Sequence, residues 1–274
     1  MSTMTTSPTL TPFAELLDLT DKVAVVTGGA KGIGWGITER LAQAGASVLV
    51  ADMDDETGVL ACKALEVDGF TARHFKVDVA DESQVKALFA FARSELGGLD
   101  IVVNDAGIFP SMPIRKMTAE LFDRVIGVNL RGLFLCTKYA AEAMVEQGLG
   151  GKIINITSID ALHPSMVGLA HYDASKHGAW GFTKNAALEY APYGIAINAI
   201  APGGVATPGV AAMNEGGPQG ADAAAAVEAF MQRIPMRRMG EPDDIGKVAL
   251  FLASNMASYM TGSQIVVDGG ALLM

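Results

Sequence analysis

Thr27-Gly28-Gly29-Ala30-Lys31-Gly32-Ile33-Gly34 is a glycine-rich stretch between a short apolar run, Val23–Thr27, and a segment of helical spacing at 34–44. Its glycines let the backbone turn tightly and approach a pyrophosphate, and free N–H groups at the start of the helix can bind the anion. Asp52 ends the second apolar run, where a carboxylate can accept hydrogen bonds from a ribose. The pattern predicts a nucleotide-binding βαβ unit, although glycines also serve ordinary turns.

Apolar, β-branched runs alternate with helical spacing along the rest of the chain. The predicted strands are Val23–Thr27, 47–51, 71–77, Ile101–Asn104, 152–157, 195–200 and Gln264–Val267. Helical spacing is found at 34–44, Glu82–Leu96, 119–145, 173–190 and 243–253. Strands that are apolar on both faces belong in a parallel sheet covered by helices on each side. The sequence therefore predicts an α/β fold, a doubly wound, seven-stranded parallel Rossmann-type sheet with helices on both faces.

Length and composition indicate one domain. Of 274 residues, 50% are hydrophobic and 18% are charged, which supports a sizeable core and excludes global disorder. Residues 1–20 are rich in Ser and Thr and are predicted to be an N-terminal tail, with 21–274 as a single dinucleotide-binding domain. Glycines and prolines cluster at 203–220, before an alanine-rich helical segment at 221–230. We expect a lid near 204–232, with a plain surface loop as the alternative.

Charge and cysteine content narrow the possible functions. The net charge of −10 argues against nucleic acid or an anionic membrane as a partner, and no apolar run reaches the roughly 18 residues of a membrane span. No His, Cys, Asp or Glu cluster has metal-ligand spacing, so no metal is expected. Cys62 and Cys136 are predicted to be buried free thiols. Because no basic residue precedes Lys22, no targeting sequence is indicated, and we expect the cytoplasm.

One tyrosine and one lysine have the spacing of an acid–base pair. Tyr172 and Lys176 are four residues apart and so lie on one face of a helix. A nearby cation favours the phenolate, which a general base needs, although an exposed helix pair would have the same spacing. Ser158 follows the fifth strand and would open into the crevice beside Tyr172, where it could hold a substrate oxygen. Asn129, within the predicted 119–145 helix, is by itself more typical of a satisfied core amide.

Four motifs together resemble the short-chain dehydrogenase/reductase family. The glycines of the turn follow the longer G-x-x-x-G-x-G spacing of that family. The other motifs are Asn104-Asp105-Ala106-Gly107, the Ser158/Tyr172/Lys176 set with Pro202-Gly203-Gly204-Val205-Ala206-Thr207, and Gly262-Ser263-Gln264-Ile265-Val266-Val267-Asp268-Gly269-Gly270. The resemblance extends from about residue 21 to residue 270. Two features depart from the family pattern: Asp105 replaces a second Asn, and the Ser158-to-Tyr172 interval is about one residue longer than in many relatives.

The resemblance implies an enzyme that interconverts a secondary alcohol and a ketone by hydride transfer to or from a nicotinamide. Tyr172 would be the general acid/base, Ser158 would fix the substrate oxygen, and Asn129 would complete the catalytic set. Lys176 would lower the pKa of Tyr172 and bind the nicotinamide ribose, and Thr207 would hold the carboxamide. The predicted cofactor-binding residues are Gly28, Lys31, Gly32, Ile33, Gly34, Asp52, Asp78, Val79, Asn104, Ala106, Gly107, Tyr172, Lys176, Pro202, Gly203, Val205 and Thr207.

Cofactor choice and assembly are also predicted. Asp52 would face the 2′-phosphate of NADP, whereas Lys31 would attract it. Because Asp52 is short and fixed by its strand, we expect NAD to be preferred. The resemblance further implies a homotetramer, with the small residues of the 173–190 helix and the final strand at subunit contacts. The alternative is that those small residues pack the helix on its own sheet.

The substrate is predicted only as a small alcohol or ketone. Candidate pocket residues are Phe109, Asp160, Leu162, His163, His171, Gly204, Val205 and the segment 208–230. One rival function is a sugar-nucleotide epimerase or dehydratase, which can share Tyr-x-x-x-Lys but normally needs a larger C-terminal domain. The other is a non-catalytic dinucleotide sensor, which would have no need of an intact Ser158/Tyr172/Lys176 set.

Overall fold

In a computed structural model, which describes residues 10–213, 228 and 231–274, the centre of the protein is one parallel sheet. Its order is β3-β2-β1-β4-β5-β6-β7. The strands are β1 (Val23–Thr27), β2 (Ser47–Asp52), β3 (Ala72–Lys76), β4 (Ile101–Asn104), β5 (Gly151–Ile156), β6 (Ile195–Pro202) and β7 (Gln264–Val267). The doubly wound Rossmann-type prediction is confirmed.

Helices lie between the strands and cover the sheet. They are α1 (Gly32–Gln43), α2 (Asp55–Val67), α3 (Glu82–Leu96), α4 (Ala119–Ile126), α5 (Leu133–Gln147), α6 (Ala170–Tyr190), α7 (Pro208–Met213) and α8 (Pro242–Ala253). Side chains cap several of them: for example, Asp54 accepts from the Thr57 N–H at the start of α2, and Asp81 accepts from two N–H groups at the start of α3. None of the helices in the described part of the chain is long and apolar enough to cross a bilayer.

Alternate residues of the central strands enter two separate cores. Val26 of β1 packs with Ile37 and Ile245 on the α1 and α8 side of the sheet. Its neighbour Val25 packs with Leu88 and Leu135 on the α3 and α5 side. All five β1 residues are buried. This two-sided burial explains why the parallel strands are continuous apolar runs rather than alternating ones.

The predicted helical segment 119–145 is helical from Ala119 to Gln147, with a π-helical turn, Gly127–Gly132, between α4 and α5. At the centre of this turn the amide of Asn129 bonds both backbone groups of Ile108, in the loop after β4. Turns of this kind are found mostly at functional sites, and here the wider turn accompanies a contact that sequence spacing does not reveal.

The predicted tail and lid extend beyond the described residues. The tail ends on the core, because Leu19 is buried and its N–H donates to the Ala44 carbonyl at 2.8 Å. Phe13, within a short 3-10 turn, is exposed. Of the predicted lid, Val205 forms a parallel bridge with Gly240, and α7 follows. The predicted helical segment 221–230 lies outside the described residues except for residue 228.

Candidate active site

The carboxyl ends of the strands open into one cleft of about 420 Å³. The cleft lies where the strand order reverses between β1 and β4, the usual ligand-binding position in sheets of this type. Seventeen of the predicted site residues line it: Gly28, Lys31, Gly32, Ile33, Asp52, Val79, Ala106, Gly107, Phe109, Ser158, Asp160, Tyr172, Lys176, Pro202, Gly203, Val205 and Thr207.

The glycine turn between β1 and α1 is shaped to admit an anion. Gly28 and Gly32 have φ values of +68° and +58°, which favour glycine. A Cβ at Gly34 would lie 2.1 Å from the Gly28 carbonyl oxygen, so the turn closes directly onto the first turn of α1. Gly34 therefore lies beneath the cleft rather than in its lining. The turn and the helix N-terminus fit the pyrophosphate of a dinucleotide.

The carboxylate at the end of β2 is held by backbone groups. Asp52 accepts from the Ala30 N–H at 3.3 Å and from the Asp54 N–H at 3.0 Å, and it is buried. Lys31 pairs instead with Asp54, with 3.5 Å between Nζ and Oδ2. This end of the cleft therefore contains the Asp52 carboxylate, which backbone groups hold in place, and Lys31, which is paired with Asp54.

Tyr172, Ser158 and Lys176 meet at the other end of the cleft. Ser158 follows β5 and caps a short 3-10 turn, Ile159–Ala161, while Tyr172 lies in the first turn of α6. The Tyr172 phenol and the Ser158 side chain both line the cleft, and Ser158 acts to lower the pKa of Tyr172. One turn further on, the Lys176 ammonium lies 5.5 Å from the centre of the Tyr172 ring and donates to the Ile156 carbonyl at 2.8 Å. The structure thus brings together the three predicted catalytic groups.

Comparisons with known proteins agree with this geometry. A family model described as "Enoyl-(Acyl carrier protein) reductase" matches residues 28–271. The 2,5-dichloro-2,5-cyclohexadiene-1,4-diol dehydrogenase of Sphingobium indicum is 37% identical over 258 residues, covering 92% of this chain and 98% of that protein. A short-chain type dehydrogenase/reductase from Mycobacterium marinum has a TM-score of 0.86 at 36% identity, covering 94% of this chain and 98% of that one. The chain belongs to the short-chain dehydrogenase/reductase family.

This short-chain dehydrogenase/reductase is an NAD(P)-dependent oxidoreductase that interconverts alcohols and ketones. The structure of another neighbour, a putative NAD(P)-dependent gluconate 5-dehydrogenase from Beutenbergia cavernae, contains bound NADP. Its TM-score is 0.85 at 33% identity, covering 94% of this chain and 99% of that one. The comparisons therefore support the oxidoreductase rather than the epimerase or the sensor, and they leave both nicotinamide cofactors open.

Burial controls the acid–base groups of this dehydrogenase/reductase. Removal from water raises the pKa of the Tyr172 phenol, and the Ser158 side chain acts in the opposite direction. Burial also lowers the pKa of Lys176 to about 8, although the Asp105 carboxylate acts to raise it. Burial is the largest influence on the pKa of Tyr172, and the lowering of that pKa by Lys176 stays a prediction.

Asn129 supports the site from below the cleft. Its amide oxygen accepts from the Ile108 N–H at 2.8 Å, and its amide nitrogen donates to the Ile108 carbonyl and to Ser175 Oγ. Ser175 Oγ in turn donates to the Tyr172 carbonyl at 2.6 Å. Asn129 therefore ties the loop after β4 to the catalytic helix α6.

Two predicted cofactor residues do not line the cleft and make their hydrogen bonds outside it. Asn104 donates to Thr137 and Asn155, which link β4 to α5 and to β5. The Asp78 side chain accepts from the Ala80 N–H at 2.9 Å and shapes the turn after β3. Both residues hold the strand ends that carry lining residues, rather than lining the cleft themselves.

The structure does not bring every predicted substrate residue to the cleft. Leu162 and His163 are exposed, and neither they nor Gly204 line it. His171 is fully buried behind Tyr172, with no hydrogen-bond partner for either ring nitrogen. For Leu162 and His163 the reason is local: the 3-10 turn after Ser158 buries Asp160 and Ala161, and the next two residues face outward.

Several lining residues were missed by the sequence reasoning. They are Ala51, Met53, Val77, Asp105, Ile108, Val128, Ile156, Thr157, Met166 and Leu169, whereas Pro208, Gly209 and Val210 belong to the predicted segment 208–230. Most flank a predicted residue at a strand end, a signal that could have found them. Met166 and Leu169 lie in the loop before α6, where no motif marks them.

Asp105, the departure from the family motif, lies against the glycine turn. Its Oδ2 would be 2.8 Å from a Cβ at Gly34, at the N-terminus of α1. Burial raises the pKa of Asp105 to about 7, Lys176 and the Gly34 N–H act to lower it, and Asp52 acts to raise it. A carboxyl group that titrates near neutrality thus lies beside the site that fits a pyrophosphate.

We expect dinucleotide affinity to fall as the pH rises through this value. Below about pH 7 the Asp105 carboxyl is protonated and neutral, whereas above it the charged carboxylate repels the phosphates. Fluorescence titration with NAD should show Kd rising roughly tenfold between about pH 6 and pH 8. Asp105→Asn should flatten the dependence, while Asp123→Asn, on the exposed face of α4, should retain it. An equally steep dependence in Asp105→Asn would contradict this assignment.

Proposed function

We propose that the protein is an NAD-preferring secondary-alcohol dehydrogenase in which Tyr172 is the general acid/base. The observation that carries the proposal is the position of Tyr172 beside Ser158 in a cleft that also contains the glycine turn. A phenol buried at the carboxyl ends of the strands, beside an ammonium and a hydroxyl, is suited to moving a proton on a substrate oxygen.

The roles of the residues follow from their positions. Tyr172 removes the alcohol proton during oxidation and returns it during reduction. Ser158 holds the substrate oxygen and shares its developing charge. Lys176 and Thr207 orient the nicotinamide, and the Gly28–Gly34 turn binds the pyrophosphate. When bound, the cofactor supplies the hydride chemistry, and its oxidised ring also favours the phenolate that burial disfavours.

A panel of secondary alcohols with NAD or NADP tests the proposal. We expect the absorbance of the reduced cofactor to increase with at least one neutral secondary alcohol, and we expect the matching ketone to be reduced in the reverse assay. Failure of every alcohol and ketone with both cofactors, by protein that still binds NAD, would overturn the proposal.

NAD should be used at least about tenfold better than NADP in kcat/KM, a difference on the order of 1.4 kcal/mol. Two N–H groups hold the Asp52 carboxylate, so it cannot turn away from a 2′-phosphate. Lys31 is drawn to Asp54 and offers less compensating attraction.

Two variants separate the contributions to this preference. Asp52→Asn should improve kcat/KM for NADP relative to NAD, because it removes the fixed charge. Lys31→Ala should change the ratio little. Equal use of both cofactors by the wild type, or a large loss of NADP activity in Lys31→Ala, would show that the lysine decides the preference.

We further propose a homotetramer in the cytoplasm. The edge strand β7 is only half-buried, and Leu188 of α6, Leu273 and Met274 are exposed apolar side chains. Ser175, Ala179, Ala186 and Ala187 pack α6 on its own sheet, so only the exposed small residues of α6 remain for subunit contacts. Both cysteines are free, which suits a reducing compartment. A 28.5 kDa particle in light scattering would contradict the tetramer.

At the substrate end of the cleft, we propose that Phe109 and Asp160 contact the substrate. Phe109 packs edge-on against Tyr172, with 5.9 Å between ring centres. Gly209 of α7 also lines the cleft, and a Cβ there would lie 2.9 Å from the Phe109 ring. The lid near 204–232 remains a prediction, and of its described residues Val205, Thr207 and the first turn of α7 line the cleft.

A further inference from the structure

Asp160 is a buried carboxylate in the wall of the cleft. Its Oδ2 accepts from Ser158 Oγ at 2.7 Å, and its Oδ1 accepts from the Ser165 N–H at 2.9 Å. Its own N–H donates to Ser158 Oγ at 3.1 Å. Only 5% of Asp160 is exposed, yet it lines the cleft. Since a carboxylate has about four acceptor sites, two remain for a ligand.

In this structure the Ser158 hydroxyl donates to this carboxylate and accepts from the Asp160 N–H, so the two residues are bound to each other. The pair therefore forms an acceptor-rich wall beside the reacting position. A ligand that satisfies this wall must itself bring hydrogen-bond donors.

Among the described residues Asp160 forms no salt bridge, although its charge acts on the nearby Lys176 to raise the pKa of that ammonium. The basic residues of the lining are Lys31, at the Asp52 end, and Lys176, which donates to the Ile156 carbonyl. An anionic substrate group beside Asp160 would therefore face a carboxylate that no salt bridge in the described part of the chain neutralises.

We infer that the enzyme selects uncharged substrates that carry a second hydroxyl beside the reacting carbon, and that Asp160 determines this specificity. The second hydroxyl donates to a free acceptor site of Asp160. A carboxylate or phosphate at the same position meets a like charge in a site with little water and is rejected. The inference rests on the proposed alcohol dehydrogenase activity and names its substrate class as neutral diols.

Three ring compounds that differ at one position test this specificity. They are trans-cyclohexane-1,2-diol, cyclohexanol and trans-2-hydroxycyclohexanecarboxylate, which place a hydroxyl, a hydrogen or a carboxylate beside the same reacting carbon. For the wild type we expect kcat/KM for the diol to exceed that for cyclohexanol at least about tenfold and that for the hydroxy acid at least about a hundredfold.

Asp160→Asn keeps the shape of the side chain and removes its charge. We expect the ratio of hydroxy acid to diol kcat/KM to rise at least about tenfold. Asp173→Asn is the matched control, since Asp173 is a neighbouring carboxylate that also raises the pKa of Tyr172 but does not line the cleft. The ratio of hydroxy acid to diol kcat/KM should be the same in Asp173→Asn as in the wild type. If the substitution displaces Ser158, kcat/KM falls for every substrate. That shared loss cancels in a ratio of two substrates measured with the same variant.

A binding measurement covers the case in which Asp160→Asn is too slow to assay. Cyclohexanecarboxylate should bind the NAD complex of Asp160→Asn at least about tenfold more tightly than that of the wild type. Intact NAD affinity shows that the variant is folded. A wild type that prefers the hydroxy acid, or an unchanged ratio and unchanged carboxylate affinity in Asp160→Asn, would overturn the role of Asp160. Absence of any alcohol oxidation by the wild type would instead overturn the proposed function.

Discussion

Tyr172→Phe should reduce kcat by about 10²–10⁴-fold, the usual contribution of general acid–base catalysis. The phenol lies beside Ser158 in the cleft lining, and Lys176 behind it is directed at a backbone carbonyl. No other described side chain with a titratable proton stands between Ser158 and Lys176. Steady-state assays with the best alcohol of the panel would measure the loss.

Cofactor affinity separates loss of chemistry from loss of structure. Removing one oxygen leaves the glycine turn and Asp52 unchanged, so NAD should bind Tyr172→Phe as it binds the wild type. Tyr193→Phe, in the exposed turn after α6, is the matched control and should retain full activity. More than a tenth of wild-type activity in Tyr172→Phe would assign the proton to another group.

Gly34→Ala should abolish dinucleotide binding. The added Cβ would lie 2.1 Å from the Gly28 carbonyl oxygen and 2.8 Å from Asp105 Oδ2, so the turn must move away from the helix N-terminus. We expect at least about a hundredfold loss of NAD affinity, roughly 2.7 kcal/mol, in a fluorescence titration.

Gly181→Ala is the corresponding control within a helix. Gly181 is exposed in α6, and a Cβ there would meet nothing within 4 Å. Alanine should stabilise the helix by up to about 1 kcal/mol and leave NAD binding unchanged. If Gly34→Ala bound NAD normally, the close packing of the turn would not be needed for the cofactor site. Thermal unfolding of both variants distinguishes a local change from loss of the fold.

Much of the fold follows from local patterns. Each central strand is buried on both faces, so its apolar run marks it in the sequence, and β1, β4 and β7 begin and end where the pattern predicts. The π-helical turn at Gly127–Gly132 could not be predicted, because it accompanies a contact between Asn129 and Ile108 that only the folded chain makes.

Some features of the site could likewise be predicted from the sequence, whereas others depend on the folded chain. Tyr172 and Lys176 could be predicted because one helix places both on the same face. The pKa of Tyr172 could not, because it depends on burial by elements distant in sequence. Asp160 could be named as a candidate, whereas its hydrogen bond from Ser158 depends on the 3-10 turn that the structure reveals.

The two cores on either side of β1 make the chain far less tolerant of changes in length than of changes in residue type. Deleting one residue from β1 would exchange the side chains of the two cores, because successive residues point to opposite faces. It would also draw the glycine turn back by about 3.3 Å, one residue of strand. Insertions and deletions in this protein and its descendants should therefore accumulate after the glycine turn and between the later elements, while the spacing from Val23 to Gly34 is inherited as a unit.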